Sequence, residues 1–237
     1  RTDSRLGAMF GHVRLICFDL DDTLWPCSPV ISAAEAECYA WLERAAPRLT
    51  ARHDPQQLRE HRVNLAARHP DIAHDMTEVR LRSLAALLEE AGYPIGLAHQ
   101  ASEVFRAARN RVTPYDDVPA ALLRLRERYT LVSVTNGNSQ IEHTPLSASF
   151  DHSLTAADVG AAKPDPAIFH AASERSGVPL EAFLHVGDDP VRDVQAARDL
   201  GMATVWVNRD GGPWPDDLAR ADLEVTEIVG LAERLIG

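Results

Sequence analysis

The sequence predicts an α/β protein: a Rossmann-like parallel sheet core carrying an inserted all-α domain. Three observations predict it. Short apolar runs alternate with amphipathic helical patterns over the C-terminal half, which argues for parallel strands joined by right-handed crossovers. The stretch from Pro26 to Thr113 contains no convincing strand and reads as roughly four helices. A chain of 237 residues with 45% hydrophobic content is ample for one domain plus an insertion.

The apolar run Val13–Phe18 is the first strand. In the insertion, Ser32–Ala46 is the first helix, stopped by Pro47. Pro55–Arg68 is the second, ending before Pro70. Asp75–Ala91 is the third and clearest. Asp75 and Glu78 have capping-box spacing, Leu81, Leu84, Ala85 and Leu88 share one face, and Gly92 ends it. Leu97–Asn110 is the fourth. The alternation resumes with a helix over Asp117–Arg128, whose Val118, Leu122 and Leu125 share a face. Strands follow at Thr130–Thr135, Phe150–Leu154, Phe183–Val186 and Thr204–Val207, with helices at Ala167–Ser176 and Val191–Leu200. Ala221–Val225 suits an edge strand, and Thr226 suits the cap of a terminal helix reaching Leu235. The expected core is 12–25 and 114–237, the helical insertion 26–113, and 1–11 an N-terminal extension. That extension opens at Arg1 without an initiator Met, and Met9 is a candidate start.

A formal net charge of −11 argues against a broad basic face for a nucleic-acid polymer. Cys17, Cys27 and Cys38 are odd in number and lack metal-ligand spacing, which suggests free thiols in a reducing, cytoplasmic compartment. No apolar run approaches the 18 or so residues of a membrane span, and no signal peptide is visible. Neither a membrane nor a nucleic-acid partner is expected; the sequence sets no oligomeric state.

Four segments carry chemistry. Asp19-Leu20-Asp21-Asp22-Thr23 follows the first strand, and paired carboxylates at a strand end repel unless a cation or a proton-transfer task uses them. The strand ending at Thr135 leads into Asn136-Gly137, where a hydroxyl and free backbone N–H groups can hold phosphoryl oxygens. Lys163 stands just before Pro164-Asp165-Pro166. There Asp165 can cap a helix, and the ammonium can neutralise a nucleophile's charge. Finally, Gly187-Asp188-Asp189-Pro190, with Asp193 beyond, supplies the hard oxygen ligands that Mg²⁺ prefers. Asp189 can serve as an N-cap, and Asp193 is expected to brace the metal ligands.

Taken together and in order, the four segments resemble the motifs of the haloacid dehalogenase superfamily, over nearly the whole chain. The helical insertion after the first motif resembles that superfamily's C1-type cap. The resemblance implies a phosphatase that works through an aspartyl-phosphate. Asp19 is then the nucleophile. Asp21 is the general acid that protonates the leaving alcohol and later deprotonates water. Thr135, the Asn136 backbone and Lys163 bind the phosphoryl group. Mg²⁺ is held by Asp19, the Asp21 carbonyl and Asp188, with Asp189 reached through water. An acid at position 21 separates these phosphatases from the superfamily's dehalogenases, which release halide without a proton. A cap hinged at Trp25–Pro29 and Arg111–Pro114 is expected to close over the motifs.

The partner expected is a small phosphorylated metabolite. The segments 18–24, 69–83 and 134–140 are similar to a proteobacterial branch acting on flavin mononucleotide (FMN) and on 5-amino-6-(5-phospho-D-ribitylamino)uracil, both ribityl phosphates. Residues 142–149 depart from that branch, which leaves other nucleotide or sugar phosphates, or mutase activity, as alternatives. Receiver-type signalling domains share the chemistry but are about half this length and lack a cap. In the insertion, Arg80 and Arg82 are either substrate contacts or a solvated face. Trp25 is either a stacking surface or hinge packing.

Replacement of Asp19 by Asn is expected to abolish turnover while weakening, but not removing, Mg²⁺ binding. Phosphate-release rates beside Mg²⁺ titration calorimetry check this; a wild-type rate would remove Asp19 as the nucleophile.

Overall fold

In the computed structural model, residues 9–236 are described. Six strands form one sheet: β1 (Leu15–Phe18), β2 (Thr130–Thr135), β3 (His152–Thr155), β4 (Phe183–Gly187), β5 (Ala203–Val207) and β6 (Leu223–Val225). Their order is β3-β2-β1-β4-β5-β6, and every pair is parallel. Strands β1, β4 and β5 are buried along their whole length, which is why they read as continuous apolar runs rather than alternating ones. In register, Cys17 faces Val132 on one side and His185 on the other. The chain departs in opposite directions on the two sides of β1, so the topological switch falls at its carboxyl end, where α/β sheets bind ligands.

The strands lie within two residues of their expected places at each end. The helix expected at Val191–Leu200 differs. It begins as a π-type turn over Pro190–Gln195 and becomes α-helical only at Ala196–Arg198. The cause is local: Asp189 Oδ1 accepts from the N–H groups of Val191 and Arg192, while the Asp189 carbonyl takes both Asp193 N and Val194 N. Within the expected 1–11 extension, residues 1–8 lie outside those described, whereas Phe10 is buried and its carbonyl accepts from Val13 N.

The chain divides into two compact units. One holds the sheet; the other comprises Cys27–Val112 and Gly137–His143. The sequence assigned 137–143 to the sheet unit. The correction has a physical cause in side chains that bond locally. Asn110 accepts from Gln140 N and donates to Gln140 Oε1, and Asn138 donates to Thr77 Oγ1.

The helical unit is built from Cys27–Ala45, Pro47–Thr50, Pro55–Arg68, Met76–Glu90 and Gly96–Arg109. Its first helix starts five residues earlier than expected, with Pro29 tolerated in the first turn, where its missing N–H costs nothing. Asp75 caps its helix through Thr77 N and Glu78 N, but the reciprocal capping box belongs to Asp54 and Gln57. Ala34, Cys38, Leu42, Leu84, Leu88 and Phe105 form the core. Arg80 is buried against it, its guanidinium over the Phe105 ring and paired with Glu35, which also holds Arg62. Arg82 instead pairs with Glu78 at the surface. The cavity beside Arg80 has a volume of about 20 Å³, room for roughly one water.

Leu42 is fully buried in this core. Leu42→Ala is expected to destabilise the helical unit by about 2–5 kcal/mol. Hydrogen exchange resolved by segment, with urea denaturation, measures it; a loss below about 0.5 kcal/mol would contradict the packing described.

Candidate active site

The carboxyl ends of β1, β2 and β4 deliver Asp19, Thr135 and Asp188. Asp19 N continues the ladder by donating to Val186 O. The chain then turns back. Asp22 adopts a left-handed φ of 61°, a conformation that short polar Asp tolerates better than most residues. Leu24 N donates to Leu20 O and Asp22 N to Trp25 O, closing the turn. Asp21 therefore does not continue a strand beside Asp19. Its Oδ1 accepts from the Trp25 indole N–H at 2.8 Å.

Lys163 is the centre of the site. Its ammonium donates to Asp19 Oδ1 at 2.6 Å, Asp193 Oδ1 at 2.7 Å and Val134 O at 3.2 Å, which uses all three N–H bonds. The Asn136 side chain holds the Lys163 backbone from both sides, accepting from Lys163 N and donating to Lys163 O. Thr135 is buried nearby at the end of β2. Asp165 accepts from Ala167 N and starts the next helix.

Among the described residues, one group of acids places its oxygens close enough to share a cation: Asp19, Asp188 and Asp193, with one oxygen from each within 4.8 Å of the others. Two residues expected as ligands are not in it through their side chains. Asp189 is turned away as the helix cap, and Asp21 is bonded to Trp25. Asp193 takes the third place, yet its oxygens already accept from Lys163, His185 and the Asp189 N–H, so it braces. Gly187 makes this possible: a Cβ there would stand 2.3 Å from Asp193 Cγ.

Charge follows this geometry. Burial raises the Asp19 pKa, and the carboxylates of Asp193 and Asp188 add to that against Lys163, whose charge Asp193 shares. Burial also opposes ionisation of Asp193, but the Lys163 ammonium and the His185 N–H outweigh it and hold this carboxyl low. Lys163 resists its own burial penalty because Asp19 and Asp193 hold its proton. Burial, then the Asp193 charge, pushes Asp188 up to about 7. Burial keeps His185 neutral. Ionising all three acids around one ammonium would leave an excess of negative charge, which is why, beyond burial, Asp19 and Asp188 are raised; an all-oxygen donor set of this kind suits a hard divalent cation that offsets the excess.

Sequence reasoning gave no role to several residues that shape the site. Thr23 is fully buried and its hydroxyl donates to Asp188 Oδ1 at 3.1 Å. Trp206 Nε1 donates to the Asp188 carbonyl. Arg209 grips the Thr23 carbonyl through Nε and Nη2, pairs with Asp117 and lies over the Tyr115 ring. His185 packs edge-on against Phe169 at 4.9 Å while bonding Asp193. Thr23 and His185 lay within or beside the recognised motifs; Trp206 and Arg209 did not.

Comparison with known proteins agrees with this geometry. Residues 13–201 match the family model of the haloacid dehalogenase-like hydrolases. The chain is 32% identical over 231 residues to 5-amino-6-(5-phospho-D-ribitylamino)uracil phosphatase YigB of Escherichia coli (strain K12), covering 93% of this chain and 95% of that one. A 2-haloacid dehalogenase structure from Pseudomonas syringae pv. Tomato DC3000 superposes with a TM-score of 0.88 at 37% identity, covering 94% of this chain and 98% of the other. A HAD phosphatase from Thermococcus onnurineus superposes with a TM-score of 0.68 at 26% identity, covering 95% and 99%.

A pH dependence follows from Asp188. Its folded pKa of about 7 lies above the ordinary value of 3.8, so the stability tied to its protonated form is full below the lower value and is lost as pH rises through the upper. In EDTA, the thermal midpoint is expected to fall between about pH 4 and pH 7, and Asp188→Asn to flatten that slope. An unchanged slope in the variant would assign the titration elsewhere.

Proposed function

The chain belongs to the haloacid dehalogenase-like hydrolase family, and on that premise we propose that it is a Mg²⁺-dependent phosphomonoester hydrolase acting through an aspartyl-phosphate. The observation that carries this is the pairing of two differently placed carboxyls on one loop. Asp19 is held by Lys163 within the acidic cluster, while Asp21 is bonded separately to Trp25. Two carboxyls in different surroundings can take different roles, one as nucleophile and one as acid.

In the proposed first step, an Asp19 oxygen forms a bond to phosphorus and the ester P–O bond breaks. Its electron pair stays on the leaving oxygen, which takes a proton from Asp21. In the second step, Asp21 accepts a proton from the water that cleaves the phosphoenzyme. Thr135, the Asn136 backbone and Lys163 hold the phosphoryl oxygens; to reach them, Lys163 exchanges one of its three present acceptors. Asp19 and Asp188, with the Asp21 carbonyl, would hold Mg²⁺. When bound, the ion supplies the charge neutralisation that phosphoryl transfer chiefly needs.

The substrate class proposed is a small phosphorylated metabolite, with FMN and 5-amino-6-(5-phospho-D-ribitylamino)uracil as leading candidates. The E. coli relative, matched along nearly its whole length, is named for the second of these, and the two share a ribityl phosphate end. A cytoplasmic setting is proposed from the buried thiols of Cys17 and Cys38, which form no disulfide. A dehalogenase reading has the Pseudomonas syringae structure in its favour. Against it stand the acid at position 21, which halide release does not need, and an acidic cluster suited to a cation.

With Mg²⁺ present, phosphate release from FMN is expected to exceed release from nucleotide and sugar phosphates, and EDTA to abolish it. Release from other esters alone would keep the mechanism and discard the flavin. Interconversion of a sugar phosphate without net release would indicate a mutase. Halide release from a 2-haloacid, with no ester cleaved, would overturn the phosphatase reading.

A further inference from the structure

We propose that Trp25 is a positioning residue for Asp21, selecting which carboxyl oxygen carries the proton delivered to the leaving group. The inference rests on the phosphatase reading above and adds to it a residue that donates to the acid itself.

Three observations carry it. Trp25 is fully buried, and its Nε1–H donates to Asp21 Oδ1 at 2.8 Å. An indole N–H can only donate, so Oδ1 remains an acceptor in either protonation state, and a proton on Asp21 belongs on Oδ2. The backbone holds both partners: Asp21 and Trp25 form a β-bridge, and Asp22 N donates to Trp25 O at 2.7 Å. The intervening turn is held again where Arg209 grips the Thr23 carbonyl. A buried tryptophan needs some partner for its N–H, but any carbonyl would serve. Here the partner is a carboxyl on the loop of Asp19 that lies outside the acidic cluster.

The consequence is chemical. As the ester P–O bond breaks, the Oδ2 proton passes to the leaving oxygen and Asp21 becomes a carboxylate. The Trp25 bond to Oδ1 then becomes charge-assisted and strengthens, so it favours the state after proton transfer over the state before it. An orientation set in advance also spares the acid a search over rotamers.

The test compares two esters that differ in their need for a proton. An alkyl phosphate (FMN, or the best alkyl ester of the panel) leaves as an alcohol; p-nitrophenyl phosphate leaves readily as the phenolate. Trp25→Phe removes the N–H and keeps an aromatic ring. The ratio of kcat/KM for the alkyl over the aryl ester is expected to fall about tenfold, part of the roughly 10²–10⁴ that a general acid contributes. Asp21→Asn should shift the ratio in the same direction and further. Should the Phe variant misfold, 3-benzothienylalanine at position 25, in which sulfur replaces the indole N–H, keeps the ring's shape and should give the same ratio. Equal losses on both esters, or no loss on either, would overturn the proposal and leave the phosphatase reading intact. A wild-type protein that cleaves neither ester would remove that reading, and this proposal with it.

Discussion

Everything at the sheet's carboxyl edge depends on one buried ammonium held between two carboxylates. Lys163 meets Asp19 and Asp193 at 2.6 and 2.7 Å with almost no exposure to water. A lone charge in that position would be prohibitive, and so would either carboxylate without it. The arrangement survives because each group is bonded several times over. Lys163 has three acceptors, and its backbone is clamped by Asn136. Asp193 is met by a neutral imidazole and a main-chain N–H. The π-type turn at 190–195, the absence of a Cβ at Gly187 and the edge-on packing of His185 on Phe169 all serve this one cluster.

The cluster also explains how one acidic strand end can contain distinct chemical roles. Asp19 sits within the acidic cluster, whereas Asp21 is set outside it by a tight turn through Asp22. The separation is achieved by backbone geometry, with Trp25 and Arg209 as its props. Removing either prop changes no charge in the acidic cluster, yet it loosens the loop on which both carboxyls stand.

Much of this was legible in the amino-acid order. The sheet could be read because its strands are buried on both faces, so Val13–Phe18 and Thr130–Thr135 appear as unbroken apolar runs between turn signals. Asp19, Thr135, Lys163 and Asp188 could be placed because strand ends and helix starts have local signatures. What could not be read was set by contacts between distant residues. Nothing beside Arg209 in the sequence points to the Thr23 carbonyl, 186 positions away. The wider turn at Pro190–Gln195 depends on the Asp189 carbonyl accepting from both Asp193 N and Val194 N, a bond pattern that no residue type announces. Arg80 resisted a reading for the same reason, since its partner Glu35 lies on another helix.

The membership of 137–143 in the helical unit has a consequence for how this protein can be taken apart. That unit is not one contiguous insertion; the chain enters it at Cys27 and again at Gly137. A recombinant that transplants only 27–112 onto a related sheet would leave Asn110 and Thr77 facing a foreign loop. A graft, or a natural recombination event, would have to carry two separated gene segments together. Inheritance of the helical unit is thereby tied to a short stretch that follows Asn136 in the sequence.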